Sequence, residues 1–337
     1  MGRRIKEDAI LITGIGRRLG RLLVRRLHRH EKLIGIDTEP FEDAPKDVIT
    51  YKVDLRRRQA EDIFRRHRIK AVIHLGLLQS RRQRASVRHS INVVGTQMLL
   101  SYCERYNIPK AVILSSANVY GPRPGNPQFL KEDTPLLGSE SYYALRDLVS
   151  VDMVSQSFFW KHPEVETVIL RPVHIVGRLD NSPSNYLRQT VIPTVMGFDP
   201  MMQLIHEEDV IQGIHRALVP GIRGVFNLAG PGTAPLKQVL KVAGKVALPV
   251  PLPIMHAGLR LAWRMRLSSY TPPEIERLRY ICTVDDSLAK EVLRFKPKYS
   301  LEETLEYLGE LRLASPGTEN VIPEVRRRRR RSTTSET

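Results

Sequence analysis

Short apolar runs alternate with helical patterns through the first half of the chain. Ala9–Thr13, Lys32–Asp37, Val48–Asp54, Ala71–Leu75 and Lys110–Ser116 are nearly continuous apolar stretches. Such runs fit strands of a parallel sheet whose two faces are both covered. Apolar positions recur at helical spacing over Arg18–His30, Arg57–His67, Val87–Tyr106 and Tyr142–Lys161, and Thr167–Pro172 adds a sixth strand. The alternation predicts an α/β fold with a doubly wound parallel sheet and a ligand site at the carboxyl ends of its strands. Beyond residue 172 the pattern loosens, with frequent proline and glycine and shorter strands. This part reads as a smaller, partly discontinuous C-terminal lobe, from which Val225–Leu228 could return to the main sheet.

The first strand breaks into Thr13-Gly14-Ile15-Gly16-Arg17-Arg18-Leu19-Gly20, which opens directly onto a helix. Glycines allow a tight turn and close approach of a ligand to the backbone. The helix start points unsatisfied N–H groups at the same place, which makes a phosphate cradle, most often for a pyrophosphate. The spacing differs from the common G-x-G-x-x-G, so a purely structural turn is the alternative.

Composition narrows the classes. The sequence has 337 residues, enough for one large domain or two unequal ones, and no apolar run long enough to cross a bilayer as a helix. The polar start, Met1 to Asp8, leaves no room for a signal peptide before the first strand. Cys103 and Cys282 match no metal-binding spacing and fit buried thiols in a reduced, cytoplasmic protein. Of the net charge of +17, six charges are Arg326–Arg331, and 17 minus 6 leaves +11 over the remainder. The segment 313–337 reads as a disordered, Arg-rich tail capable of weak contact with polyanions or a membrane surface. No motif for specific nucleic-acid recognition accompanies it.

After the glycine loop come Ile36-Asp37, Val53-Asp54-Leu55 and His74-Leu75-Gly76, then Ile91-Asn92-Val93-Val94-Gly95-Thr96 and Ser115-Ser116-Ala117-Asn118-Val119-Tyr120-Gly121. Leu170-Arg171-Pro172, Ile205-His206-Glu207-Glu208-Asp209-Val210 and Phe226-Asn227-Leu228-Ala229-Gly230 follow. In this order the motifs resemble the extended short-chain dehydrogenase/reductases of the NAD-dependent epimerase/dehydratase family, and the likeness spans roughly residues 8–310. It implies an NAD(P)-binding Rossmann domain over 8–172 and a substrate-side lobe over 173–312. It also implies a homodimer formed through the helices at Val87–Tyr106 and Tyr142–Lys161.

The resemblance assigns the cofactor site to Thr13, Gly14, Gly16, Arg17, Arg18, Leu19, Gly20, Asp37, Asp54, Leu55, Leu75, Gly76 and Asn92. A carboxylate at Asp37 can accept from both ribose hydroxyls and would repel a 2′-phosphate, which favours NAD over NADP; a helix-capping aspartate is the alternative. Asp54 resembles the aspartate that contacts the adenine amino group, with a strand-end turn residue as its alternative. Arg17 stands where the family has its middle glycine. The loop also resembles the T-G-A-A-[RK]-R-L-G form of pteridine reductases, so NADP remains open.

Family chemistry uses a tyrosine, a lysine four residues later and a Ser/Thr, which Ser116 matches. A cation at i+4 stabilises tyrosinate and lowers a pKa that is otherwise near 10. Ser141-Tyr142-Tyr143-Ala144-Leu145-Arg146-Asp147 offers two frames, neither with the lysine. Tyr143 with Asp147 keeps the small residue after the tyrosine, whereas Tyr142 with Arg146 keeps a cation that cannot relay a proton. Four arginines, Arg81, Arg82, Arg84 and Arg88, could clamp an anionic substrate or form a solvated helix face. His174 and His206 are substrate-side candidates, with hydrogen-bonded core positions as the alternative.

The expected function is that of an oxidoreductase or epimerase with an atypical active site, acting on a nucleotide-sugar-like or other carbonyl or alcohol substrate. A non-catalytic dinucleotide sensor or scaffold is the competing class. Ile254–Leu267 carries Arg260, Arg264 and Arg266 among apolar residues. It could lie in an anionic membrane interface or pack its apolar face on its own domain.

Overall fold

The computed structural model describes residues 8–77, 84–141, 145–179, 182–265 and 272–311. Seven parallel strands form the central sheet. They are β1 (Ala9–Thr13), β2 (Lys32–Asp37), β3 (Ile49–Lys52), β4 (Ile69–His74), β5 (Lys110–Leu114), β6 (Glu166–Pro172) and the returning strand Gly224–Leu228. Their order across the sheet is β3-β2-β1-β4-β5-β6 and then Gly224–Leu228. The chain direction of winding therefore reverses between β1 and β4, the crevice where open α/β sheets bind ligands.

All five residues of β1 and of β5 are buried, because helices cover both faces of these central strands. The anticipated Val48–Asp54 strand is shorter and alternately half-buried and exposed. It is the sheet's edge, and short, partly polar edges limit unwanted strand pairing. Val225–Leu228 does return, pairing in parallel with β6 from Gly224 onward.

Helix α1 (Arg18–Leu27) buries Leu19, Leu22, Leu23 and Leu27 at helical spacing, and Arg25 and Arg26 complement the dipole in its last turn. Helix α2 (Arg58–Arg66) buries Ala60, Ile63 and Phe64. The expected Val87–Tyr106 helix is interrupted: α3 (Ala85–His89) and α4 (Gly95–Arg105) are joined by one π-helical turn, Ser90–Val94. A short helix, α5 (Gly138–Ser141), precedes α6 (Arg146–Lys161). A Cβ on Gly138 would meet the Asn118 carbonyl oxygen at 2.6 Å, so α5 packs closely on the turn after β5.

Two apolar cores lie on the two faces of the sheet, one including Ile12, Leu23 and Leu170, the other Leu11, Phe64 and Leu99. A third is built almost entirely from residues after 175, including Ile192, Leu240, Ile275 and Leu308. Among the described residues no helix is long and apolar enough to cross a membrane. The 313–337 tail lies outside the described residues.

Candidate dinucleotide and active site

The loop after β1 is fitted to its neighbours by two glycines. Gly14 has φ +71°, and a Cβ there would lie 2.8 Å from Gly76 Cα in the loop after β4. A Cβ on Gly20 would lie 2.5 Å from the Gly14 carbonyl oxygen, so this glycine brings α1 against β1. Backbone bonds fasten the same corner: Gly14 N donates to Ile36 O at 2.8 Å and Leu75 N to Thr13 O at 3.1 Å. Gly16 differs, since a Cβ there would come no closer than 3.4 Å to Asp37 Oδ2, 3.7 Å to Pro40 O and 3.8 Å to Phe41 Cβ, ordinary contact distances.

Asp37, at the end of β2, is buried beside this loop. Its Oδ2 accepts from Gly16 N at 3.1 Å and its Oδ1 from Glu39 N at 3.3 Å. A carboxylate has about four acceptor positions, so both oxygens retain capacity. The first turn of α1 has no side-chain cap and no acidic residue. These features together fit the pyrophosphate and ribose of a dinucleotide: a backbone cradle that side chains would fill, N–H groups aimed at it and an acceptor beside it.

The two loop arginines have separate tasks. Arg17 donates from Nη1 to Leu77 O at 3.1 Å, tying the glycine loop to the loop after β4. Arg18 turns away and forms a two-pronged ion pair with Glu207, with Nε to Oε2 at 3.0 Å. Glu207 is buried and also accepts from Tyr307 Oη at 2.8 Å and Arg178 N at 3.2 Å. Leu19 is buried in the core. Asp54 is held by its neighbour Arg56, through Nε at 3.0 Å, and that bonding keeps its pKa below the usual carboxylate range. Arg56 Nη1 also donates to Ser90 Oγ at 2.7 Å, and Leu55 packs against the core around α2.

Behind the cradle runs a buried chain, Thr13–His74–Thr96–Asn92. Thr13 Oγ1 lies 2.6 Å from His74 Nδ1, His74 Nε2 lies 2.9 Å from Thr96 Oγ1, and Thr96 Oγ1 donates to Asn92 O at 2.5 Å. Because Thr96 spends its proton on Asn92, it accepts from His74 Nε2–H, and Thr13 then donates to Nδ1. The ring is thereby neutral, and burial presses its pKa down to about 4.

Ser116 begins the turn after β5. Its Oγ accepts from Asn118 N at 3.2 Å and Asn118 Nδ2 at 2.9 Å, which leaves its own proton to donate. Tyr142 and Tyr143 lie outside the described residues. Arg146, at the start of α6, is exposed, whereas Asp147 is buried. Position 147 is the inward one of the pair. Asp147 is matched by two side chains from α3: the Arg88 guanidinium, with Nε 3.0 Å from Oδ2, and the His89 ring, with Nδ1 2.9 Å from Oδ1. Arg88 is itself buried, so it is neither a solvated helix face nor an open clamp. Sequence spacing gave no sign of this pairing across 59 residues. Arg84 is exposed, and Arg81 and Arg82 lie outside the described residues.

Three motifs that looked unrelated meet below Ser116. Arg171 and Asp152 form a fully buried two-pronged pair, with Nη2 to Oδ1 at 2.7 Å. Arg171 Nη1 donates to Tyr120 Oη at 2.7 Å, Tyr120 donates to Asn227 Oδ1 at 2.8 Å, and Ser115 Oγ donates to Asp152 Oδ2 at 2.5 Å. Burial pushes Tyr120 up to about 12, so it is a structural phenol.

His206 caps the Glu207–Ala217 helix by accepting from Glu208 N at 3.2 Å, and it stacks on Tyr299 with ring centres 3.8 Å apart. It is a core histidine. His174 is pressed down to about 3 by burial and by the nearby Arg277 and Arg188. Cys282 also lies within reach of Arg277's field, and its thiol donates to Ala117 O, next to Ser116, at 3.7 Å. Both cysteines are free, with thiol pKa values raised by burial. Among the described residues no group of three His, Cys, Asp or Glu could hold a metal ion. A 440 Å³ cavity lined by Phe64, Arg68 and Tyr106 opens at the opposite edge of the sheet, beside the strand starts.

The chain is similar to a UDP-glucose 4-epimerase of Bacillus subtilis, 27% identical over 77% of this chain and 80% of that protein. It is 25% identical to an uncharacterized protein of Mycobacterium tuberculosis, over 88% of this chain and 82% of that one. Among solved structures, a UDP-glucose 4-epimerase of Thermotoga maritima with UDP-glucose matches with a TM-score of 0.69 at 18% identity, covering 90% of this chain and 98% of that one. A dTDP-glucose 4,6-dehydratase of Bacillus anthracis in complex with NAD matches with a TM-score of 0.68 at 18% identity, covering 90% and 96%. Residues 10–229 match the NAD dependent epimerase/dehydratase family as a whole. With its strand order, its glycine corner and that match over most of its length, the chain belongs to the NAD dependent epimerase/dehydratase family.

Proposed function

We propose that the chain binds NAD(H) along the carboxyl edge of β1, β2 and β4 and acts as an oxidoreductase or epimerase on a nucleotide-sugar-like substrate. The observation that carries the dinucleotide reading is the contrast at the loop glycines: Gly14 and Gly20 are required by the protein's own packing, whereas the space over Gly16 faces Asp37 and is left for a ligand. The N–H groups of the uncapped first turn of α1 and the Arg17 side chain would face the pyrophosphate, and Asp37 would accept from the adenosine ribose, disfavouring a 2′-phosphate and hence NADP. When bound, the nicotinamide would accept or give back a hydride at a sugar carbon. Ser116 would donate its free proton to the oxygen on that carbon, with Tyr143 as the acid–base partner that the family resemblance assigns.

The atypical part of the site is Asp147 in the lysine's place. An unpaired carboxylate there would oppose tyrosinate formation. Arg88 offsets that charge with a cation from α3. Residues 173–312, apart from the strand Gly224–Leu228, are taken as the substrate-side lobe. Met153 and Trp160, exposed on one side of α6, support a homodimer through α4 and α6.

Calorimetric titration with NADH and with NADPH tests the cofactor reading, with tight NADH and weaker NADPH binding expected. Adding UDP-glucose or UDP-glucuronate to the NAD-loaded protein and following nicotinamide absorbance then tests turnover. The buried Arg88–Asp147 pair also favours a second reading, a non-catalytic dinucleotide sensor. Tight NAD(H) binding with neither reduction of NAD nor epimerisation of any nucleotide sugar would select it.

A further inference from the structure

The helix Leu252–Arg264 is turned the wrong way for a soluble surface. It buries Met255, while Ile254 is 62%, Leu261 60% and Met265, just past its end, 58% exposed. These three are spaced i, i+7 and i+11, so they form one outward stripe, with Ala257 and Gly258 between them. One apolar face of the helix, Leu252, Met255 and Leu259, does pack on its own domain, and the outward stripe is a second apolar face. The strand leading into the helix, Val246–Val250, adds Val246 and Leu248, also more than half exposed. Isolated exposed apolar residues need no explanation, but a contiguous patch marks a contact site.

Charge says what the contact is. Between Asp209 and Glu274 the sequence has no Asp or Glu and eight Lys and Arg. On the helix itself Arg260 and Arg264 are exposed beside the apolar stripe, and Lys237 and Lys241 are exposed on the preceding helix, Leu236–Val242. Two nearby carboxylates are engaged, since Asp199 accepts from Lys237 N and Glu276 pairs with Arg279. An outward aliphatic stripe flanked by exposed cations is the pattern of a helix lying in the headgroup region of an anionic bilayer, apolar side down and cations level with the phosphates.

We infer that the segment Val246–Met265 is a membrane-interface element that seats this protein on anionic lipid. Arg326–Arg331 would add long-range attraction, but the helix is the anchor. Membrane binding of this kind is reversible, because one short amphipathic helix buries only a few side chains.

The test uses the full-length protein with phosphatidylcholine vesicles, with and without phosphatidylglycerol. Co-sedimentation is expected only with phosphatidylglycerol, with new amide hydrogen-exchange protection confined to Val246–Met265. Ile254→Ser with Leu261→Ser should weaken binding about tenfold or more, and Arg260→Glu with Arg264→Glu by about tenfold. Both pairs are surface changes, and an unchanged melting temperature verifies the fold. Deleting residues 313–337 should leave the protection in place. Three results would overturn the inference: loss of all vesicle binding on deleting the tail alone, vesicle binding without protection of the helix, or protection of the helix without vesicles through self-association seen by sedimentation. The last would assign the face to a second copy of this chain.

Discussion

Gly16 separates what the protein needs from what a ligand needs. Gly20→Ala should lower stability by about 1–3 kcal/mol, since its new methyl would overlap backbone atoms that cannot move independently. Gly16→Ala should leave the melting temperature nearly unchanged yet weaken NADH binding in calorimetry. Equal effects at both positions would mean that the loop is only a structural turn. Asp37→Ala should weaken NADH binding by roughly 10- to 100-fold, the worth of hydrogen bonds to a charged acceptor, and narrow the preference over NADPH. Arg88→Met should cost about 3–5 kcal/mol in chemical denaturation, because Asp147 would be left buried without its main partner. Adding Asp147→Leu to that variant should restore much of the loss. If the single change is neutral, the pair is not what holds α3 against α6.

At the scale of elements, the interrupted helix α3–α4 matters most. A π turn widens the helix by one residue and breaks the regular bonding ladder, a device found mostly at functional sites. Here it falls on Ser90–Val94, which includes Asn92 and follows directly on the segment that delivers Arg88 and His89. Thr96 holds the turn by donating to Asn92 O and accepting from His74. Thr96→Val removes both bonds while keeping the shape of the side chain. It should destabilise the protein by about 1–3 kcal/mol, read by thermal melting, and increase hydrogen exchange along α4.

At the scale of the whole molecule, buried histidines set the acid limit of the fold. His74 and His206 are each pressed down to about 4, chiefly by burial, from an ordinary value near 6.5. The unfolded chain therefore binds more protons than the folded one between those values, and stability rises with pH there. Their contribution is present in full above about 6.5 and is lost as pH falls through 4. For His74 alone the loss is roughly 3 kcal/mol. Melting temperature should fall steadily from neutral pH toward pH 4, and His74→Gln should flatten that slope. A slope unchanged by the substitution would show that other groups govern acid unfolding.

The sequence by itself determined the winding of the sheet. Fully buried parallel strands must be apolar along their whole length, so β1 and β2 were legible to the residue and β4 and β5 to within two residues at their ends, whereas the half-exposed edge strand β3 was read three residues too long. The glycine corner and Asp37 were legible for a similar reason, since a short contiguous loop carries its chemistry in consecutive residues. What tertiary structure alone decided were the pairings between distant residues. Arg18 reads as a phosphate ligand until Glu207, 189 residues away, claims it. Arg88 reads as surface until Asp147 buries it, and Tyr120, Arg171 and Asn227 read as separate landmarks until one network joins them. The helix Leu252–Arg264 carries the same amphipathic pattern whichever face is buried. Periodicity fixes that a helix has an apolar side, but only the packing of the rest of the chain decides whether that side meets the core or is left for a partner.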